Sequence, residues 1–208
     1  MVAENRNQET EGLFSPLLRS VRLRKAARLI LPGSLVLDIA CGGGDLKEFL
    51  PPGCRYFGVD RIIPPPTANF DVFLAGDVMS PEFLGKLKPW LPGRADVITM
   101  LAFIEHIEFP GTILHALAEV LAENGRIILT TPHPSGRSLH DRLARFGLCS
   151  SSAAEEHEQF FDRSDLEKIA RQAGFFTVNY QRFLFGLNQI VEITPAPSAP
   201  ATPSVATA

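Results

Sequence analysis

The chain has little cysteine. Its three, Cys41, Cys54 and Cys149, stand at irregular spacing in 208 residues with no Cys-x-x-Cys pair. An odd set of this kind builds neither a disulfide framework nor a zinc site, and it fits a reducing, cytoplasmic setting. Charge of one sign is not in excess either: the net charge is −3 and the pI near 6.0, so no field gathers nucleic acid and no such partner is expected. No apolar run approaches the roughly 18 residues of a membrane span, and the opening MVAENRNQETEG lacks the apolar stretch of a signal peptide. With 45% hydrophobic and 21% charged residues, the composition is that of one soluble globular domain with a sizeable core.

The domain is expected over residues 13–194, with residues 1–12 and the Pro/Ala-rich tail 195–208 disordered. Leu13 to Ile30 carries two apolar helical stripes interleaved with Arg19, Arg22, Arg24, Lys25 and Arg28. Such a basic amphipathic helix either packs beside the core with a solvated face or lies on an anionic membrane or lipid-linked substrate. The stretch LVLDIACGGGDL (Leu35–Leu46) then reads as a buried strand, a glycine turn and a helix start, a cradle for a ligand. RYFGVD (Arg55–Asp60) and VFLAGD (Val72–Asp77) are two more strands, each closed by an acid, and Pro64, Pro65 and Pro66 between them forbid a normal crossover helix.

Ser80–Leu91 reads as a modest helix broken by Gly85 and Pro89, Ala95–Leu101 as a fourth strand, Gly111–Gly125 as a helix closed by its last glycine, and Arg126–Thr131 as a fifth strand. Alternating strands and helices make this a parallel α/β sheet. A long connection, residues 132–161, contains a basic helix at Ser138–Phe146 with Arg137, Arg142 and Arg145 near it. Next comes a helix with Ser164 and Glu167 as a capping box and a stop at Gly174, then two strands paired as a hairpin near Gly186.

The dinucleotide fingerprint is only partly met, because Lys47 stands where the third small residue belongs after Gly42 and Gly44. Acids Asp38, Asp60 and Asp77 at the carboxyl edge would repel a pyrophosphate and suit a ligand with hydroxyls, an exocyclic amine and positive charge. At this point the sequence resembles the class I S-adenosylmethionine-dependent methyltransferases, in particular the type 11-like small-molecule branch. VLDIACGGGDL, YFGVD, AGDV, DVITMLAFIEHI and GRIILTTPHP are similar to that family's five motifs in order, and EEHEQFFDRSDLEKIARQAGF to the segment that follows.

The resemblance implies a Rossmann-like α/β fold, a seven-stranded sheet in the order 3-2-1-4-5-7-6 with the last strand antiparallel and helices on both faces. It implies S-adenosylmethionine as cofactor, with Gly42 and Gly44 at its methionine end, Asp60 at the ribose hydroxyls, Asp77 and the Val78 backbone at the adenine, Met100 and Leu101 flanking it, and Asp38, Ala40 and Arg61 also among the cofactor-binding residues. The activated sulfonium leaves the protein mainly the task of alignment. A hydroxyl acceptor needs a base, for which His157, His133 and His106 are the candidates, His157 first. The chain lacks the Asn/Asp-Pro-Pro-aromatic signature of amino-group methylation and the Pro-Cys nucleophile of cytosine methylation, which leaves a small-molecule acceptor, with O-methylation favoured. A nicotinamide-dependent enzyme and a non-catalytic cofactor-binding partner protein remain as alternatives.

Overall fold

The computed structural model describes residues 15–136 and 159–197; the expected helix at Ser138–Phe146 and the candidate base His157 lie outside them. Strands β1 (Leu35–Ile39), β2 (Arg55–Asp60), β3 (Val72–Ala75), β4 (Ala95–Leu101), β5 (Leu121–Pro132), β6 (Phe175–Phe183) and β7 (Asn188–Pro195) form one sheet in the order β3-β2-β1-β4-β5-β7-β6. The first five pair in parallel, while β7 runs antiparallel to both β5 and β6. This is the expected Rossmann-like topology. It gathers the carboxyl ends of β1 to β5 and the β6–β7 turn at one edge, because Pro132 at the end of β5 pairs with Asn188 at the start of β7.

The sheet's two faces are covered unequally. On one, Leu37, Ile39, Phe57, Ile98, Met100, Ile127 and Leu129 pack under α2 (Pro81–Trp90), α3 (Pro110–Leu117) and α4 (Arg163–Gln172). On the other, Val36, Tyr56, Val97, Ile128 and Ile190 meet α1 (Ser15–Ala27), with Leu23, Ala26 and Ala27 of that helix, Ile30 beyond it and Leu46. The basic side chains of α1 have protein partners: Arg24 lies over the Phe49 ring, while Lys25 donates to Gln181 Oε1 at 2.9 Å and lies over Phe183. No helix among the described residues is long and apolar enough to cross a membrane.

Four local expectations are corrected. The segment after the glycine turn is a 3-10 helix, Asp45–Phe49, stopped by Pro51 and Pro52 before it can lengthen. Helix α2 continues past Gly85 and through Pro89, whose ring falls in the last turn. Helix α3 ends at Leu117 rather than at Gly125: Ala95 N–H donates to Val120 O and Arg94 Nη1 to Leu121 O, which draws the chain into β5. Gly125 lies inside that strand, where a Cβ would stand 2.8 Å from the Leu121 side chain. The cap of α4 is Asp162 with Asp165, not Ser164 with Glu167. Asp162 Oδ1 accepts from Asp165 N–H and Asp162 N–H donates to Asp165 Oδ2, both at 3.0 Å, while Glu167 is taken by Arg163 at 2.7 Å. The crossover from β2 to β3 is extended and contains no helix, as the three prolines require.

Candidate cofactor and acceptor site

The glycine turn is held mostly by the protein's own groups. Ala40, Gly42 and Gly44 all have left-handed backbones, with φ of 56°, 54° and 78°. That conformation costs Ala40 energy that glycine would not lose, which marks the position as one the surroundings enforce. Gly42 N–H donates to Asp60 Oδ2 at 2.8 Å and Ile62 N–H to Asp60 Oδ1 at 2.9 Å, so one carboxylate ties the turn after β1 to the loop after β2. Each of its oxygens keeps a second lone pair for a ligand hydroxyl. At Gly44 a Cβ would lie 2.5 Å from Asn69 O and 2.8 Å from the Phe70 ring. Glycine is needed there because the β2–β3 connection closes over the turn.

Beside this turn lies a cavity of about 370 Å³ lined by Ala40, Val59, Asp60, Arg61, Ile62, Gly76, Asp77, Val78, Met79, Phe103 and His106. It opens beyond the carboxyl ends of β1 to β4, where open α/β sheets receive ligands. Asp77 Oδ1 accepts from Met79 N–H at 2.9 Å, which fixes the carboxylate at the rim. Of the residues singled out in the sequence, Ala40, Asp60, Arg61, Asp77, Val78 and His106 line the cavity together. Gly42, Gly44, Asp38, Met100, Leu101 and His133 are not in its lining. Met100 is fully buried under the helices, and Leu101 packs against the α1 face. Ile62, Met79 and Phe103 were not anticipated; each follows a strand within a few residues, a position that could have signalled them.

Asp38 sits beneath the turn and faces α1. Its Oδ2 accepts from Tyr56 Oη and its Oδ1 from Thr99 Oγ1, both at 2.5 Å, and it is 4% exposed. Burial pushes its carboxyl up to about 6, the two hydroxyl bonds pull it back, and the charge of Asp60 pushes it further. Burial raises the Tyr56 phenol too, reinforced by Asp38. From α1, Arg19 pairs with Asp45 at 2.9 Å, and its Nη2 lies 3.4 Å from where a Cβ on Gly42 would be. Arg22 Nε is buried with no hydrogen-bond partner among the described residues. Burial lowers the Arg22 pKa, the charge of Glu105 opposes that, and Arg19 adds to it. Two guanidinium groups that read as a solvated basic face in the sequence are thus turned toward the glycine turn and the loop after β4.

A second polar cluster stands farther along the same edge, beyond β5. His133 Nδ1 accepts from Ser135 N–H at 3.1 Å and lies 2.8 Å from Ser135 Oγ. Arg182, at the end of β6, donates through Nη2 to Ser135 Oγ and to Gly186 O, both at 2.5 Å, and through Nε to Gly186 O at 3.0 Å. Burial and the Arg182 charge hold the His133 imidazole below its ordinary value, against the pull of Asp162. Among the described residues no group of three or more His, Cys, Asp or Glu is arranged to hold a metal ion.

This geometry has counterparts in known proteins. A family profile described as a methyltransferase domain matches residues 12–180. A ubiquinone biosynthesis O-methyltransferase of Nitrosococcus oceani is 32% identical over 181 residues, covering 80% of this chain and 75% of that protein. A protein of the same name from Xanthomonas campestris is 33% identical over 137 residues, covering 61% of this chain; the match spans only 56% of that relative's length. Among solved structures, a 1,6-didemethyltoxoflavin-N1-methyltransferase of Burkholderia thailandensis, with its substrate and S-adenosylhomocysteine bound, shares the fold. It has a TM-score of 0.63, 21% identity, and coverage of 87% of this chain and 81% of that one. On its matched domain, its motifs and its sheet order, the chain belongs to the class I S-adenosylmethionine-dependent methyltransferase family.

Proposed function

We propose that the chain transfers the methyl group of S-adenosylmethionine to a hydroxyl oxygen of a small-molecule acceptor. The observation that carries this reading is the Asp60 carboxylate: it is fixed by two backbone amides at the wall of a cavity of about 370 Å³ and has acceptor capacity left for a vicinal diol. The residues fit the cofactor. Asp60 suits the ribose hydroxyls, and Asp77 with the Val78 backbone suits the amino edge of the adenine between Ile62 and Met79. The left-handed turn at Ala40–Gly44 suits the methionine end, with Arg19 near enough to meet its carboxylate and Asp38 behind it as a negative counter-charge. The cofactor supplies an activated methyl group, so the chain's own work is to hold the acceptor in line and keep water out. The relatives named O-methyltransferases support oxygen as the acceptor atom. His106, in the cavity wall beside Phe103, is the histidine we assign as base for the acceptor hydroxyl.

Calorimetric titration tests the cofactor assignment. S-adenosylhomocysteine is expected to bind at one site per chain, and NADH not to bind at all. Binding of NADH in its place would return the chain to the nicotinamide-dependent class. Tight binding of S-adenosylhomocysteine without methyl transfer to any diphenol or hydroxy acid would support a regulatory partner instead.

A further inference from the structure

The polar cluster beyond β5 lies outside the cavity, yet the fold brings it to the same edge. Ala102 N–H, at the end of β4, donates to Thr130 O at 2.8 Å, and His133 N–H, at the end of β5, donates to Leu187 O at 2.8 Å. His133 therefore follows the strand that neighbours the one leading into the loop with Phe103 and His106, the strands themselves lying roughly 5 Å apart. An acceptor whose reacting oxygen meets His106 can extend toward His133.

The protonation pattern of His133 follows from the backbone. Ser135 N–H points at Nδ1, so Nδ1 is an acceptor and bare of hydrogen. A neutral imidazole carries one N–H, which must then sit on Nε2. In this tautomer His133 has no free lone pair to offer an acceptor hydroxyl, so the ring is a hydrogen-bond donor and not a base. Beside it, among the described residues, Arg182 is engaged through Nε and Nη2 and makes no ion pair. The nearby carboxylate of Asp162 is occupied in the cap of α4, accepting from Asp165 N–H and Ser164 Oγ. Among the described residues the cluster therefore presents an N–H and a guanidinium without an ion pair, with the Asp162 carboxylate near enough to act on His133 through its charge.

The turn that carries these groups is strained. Leu184, Phe185 and Gly186 are successive left-handed residues, with φ of 51°, 56° and 82°, and Arg182 clasps the turn through Gly186 O. Phe185 is completely exposed at its apex. Two non-glycine residues hold this costly backbone, and the Phe185 ring gains no packing in return.

We propose that His133 and Arg182 form the anion-recognition end of the acceptor site, with Phe185 as its apolar wall, and that the acceptor carries a carboxylate on an aromatic body. His133 serves as a binding and specificity residue through Nε2–H. This rests on the reading of the neighbouring cavity as the cofactor site, and it gives the acceptor class that the cavity alone does not.

The test uses the full chain with ¹⁵N-labelled histidine, saturated with S-adenosylhomocysteine, and titrated with benzoate against benzamide as the uncharged isostere. The free protein is expected to show His133 as the Nε2–H tautomer, its signal assigned by its loss in His133→Gln. Benzoate should shift that signal and bind at least about tenfold more tightly than benzamide. His133→Ala should reduce the preference several-fold, with Arg182 holding the remainder, while His133→Gln, whose amide puts an N–H near the place of Nε2, should keep it within a few-fold of the wild type. A protonated Nδ1, equal affinity for the two probes, no binding of benzoate, or a preference untouched in His133→Ala would each overturn the proposal. Calorimetry with S-adenosylhomocysteine on the same samples separates the two readings. Lost cofactor binding sinks the methyltransferase site, whereas intact binding without carboxylate preference sinks only the anion end.

Discussion

The two ends of the sheet's carboxyl edge are opposite in chemistry. At the β1–β3 end the fixed charged groups are carboxylates: Asp60 pinned by Gly42 and Ile62, Asp77 pinned by Met79, and Asp38 buried beneath the turn. At the β5–β7 end they are the donors His133 and Arg182. Among the described residues Asp60, Asp77 and Arg182 make no salt bridge, which leaves each end open to a ligand of opposite charge. A cationic sulfonium cofactor with a ribose diol answers the first end, and an anionic acceptor the second. His106 and Phe103, after β4, stand between them, which is where the methyl group would have to pass.

The largest effect is expected at that boundary. With His106 acting as base, His106→Ala should lower kcat by roughly 10²- to 10⁴-fold while cofactor affinity changes little. Stopped-time assays on a diphenol acceptor would measure this, and an unchanged kcat would mean that the acceptor loses its proton without help. Next in size is the acidic end. Asp60→Ala removes the hydroxyl acceptor and releases two backbone amides, so S-adenosylhomocysteine binding should weaken by about 1.5–3 kcal/mol, roughly tenfold to a hundredfold. Calorimetry that found unchanged affinity would move the ribose elsewhere.

Asp38 sharpens the contrast through pH. Its folded value, about 6, lies above the ordinary 3.8, so the folded protein holds this proton more tightly than the unfolded chain does. The group's contribution is therefore most favourable at low pH, declines as pH rises from about 4 to about 6, and stays at its least favourable above that. The span of about two units corresponds to an order of 3 kcal/mol. Denaturant midpoints for the wild type and Asp38→Asn should diverge as pH rises from about 4 to about 6 and run parallel above it, the variant gaining in relative stability; curves parallel throughout would show that Asp38 does not titrate in that range. A cationic cofactor favours the ionised form, so its affinity should rise over the same window in the wild type and stay flat in the variant.

The acidic end was far more legible in the sequence than the donor end. Asp60 and Asp77 each close a short apolar run, and an acid at a strand's end is visible without any tertiary information. Three prolines announced the helix-free crossover equally well. By contrast, Arg182 and His133 meet only because β7 runs antiparallel to β5 and carries β6 back to the edge, a pairing of residues 49 apart that no local pattern encodes. The end of α3 was hidden for a related reason. LAEVLAENG has helical periodicity, and what stops the helix is the long-range bond from Ala95 N–H to Val120 O. Arg19 and Arg22 were visible as charges but not as inward-facing groups, since a basic stripe looks the same whether water or a buried carboxylate answers it.

The smallest effect tests the donor end at its strained turn. Phe185 has no packing to lose, being fully exposed, and its left-handed backbone is one that asparagine adopts readily. If the strain is held for a ligand and not for stability, Phe185→Asn should stabilise the protein by about 1 kcal/mol, a rise in Tm of roughly 2–4 °C. The same variant should weaken benzoate and benzamide alike by a few-fold, because it removes an apolar wall and leaves both donors in place. A drop in Tm would mean that the phenyl ring supports the turn. Loss of the carboxylate preference would assign to the ring a part of the recognition that the geometry gives to His133 and Arg182.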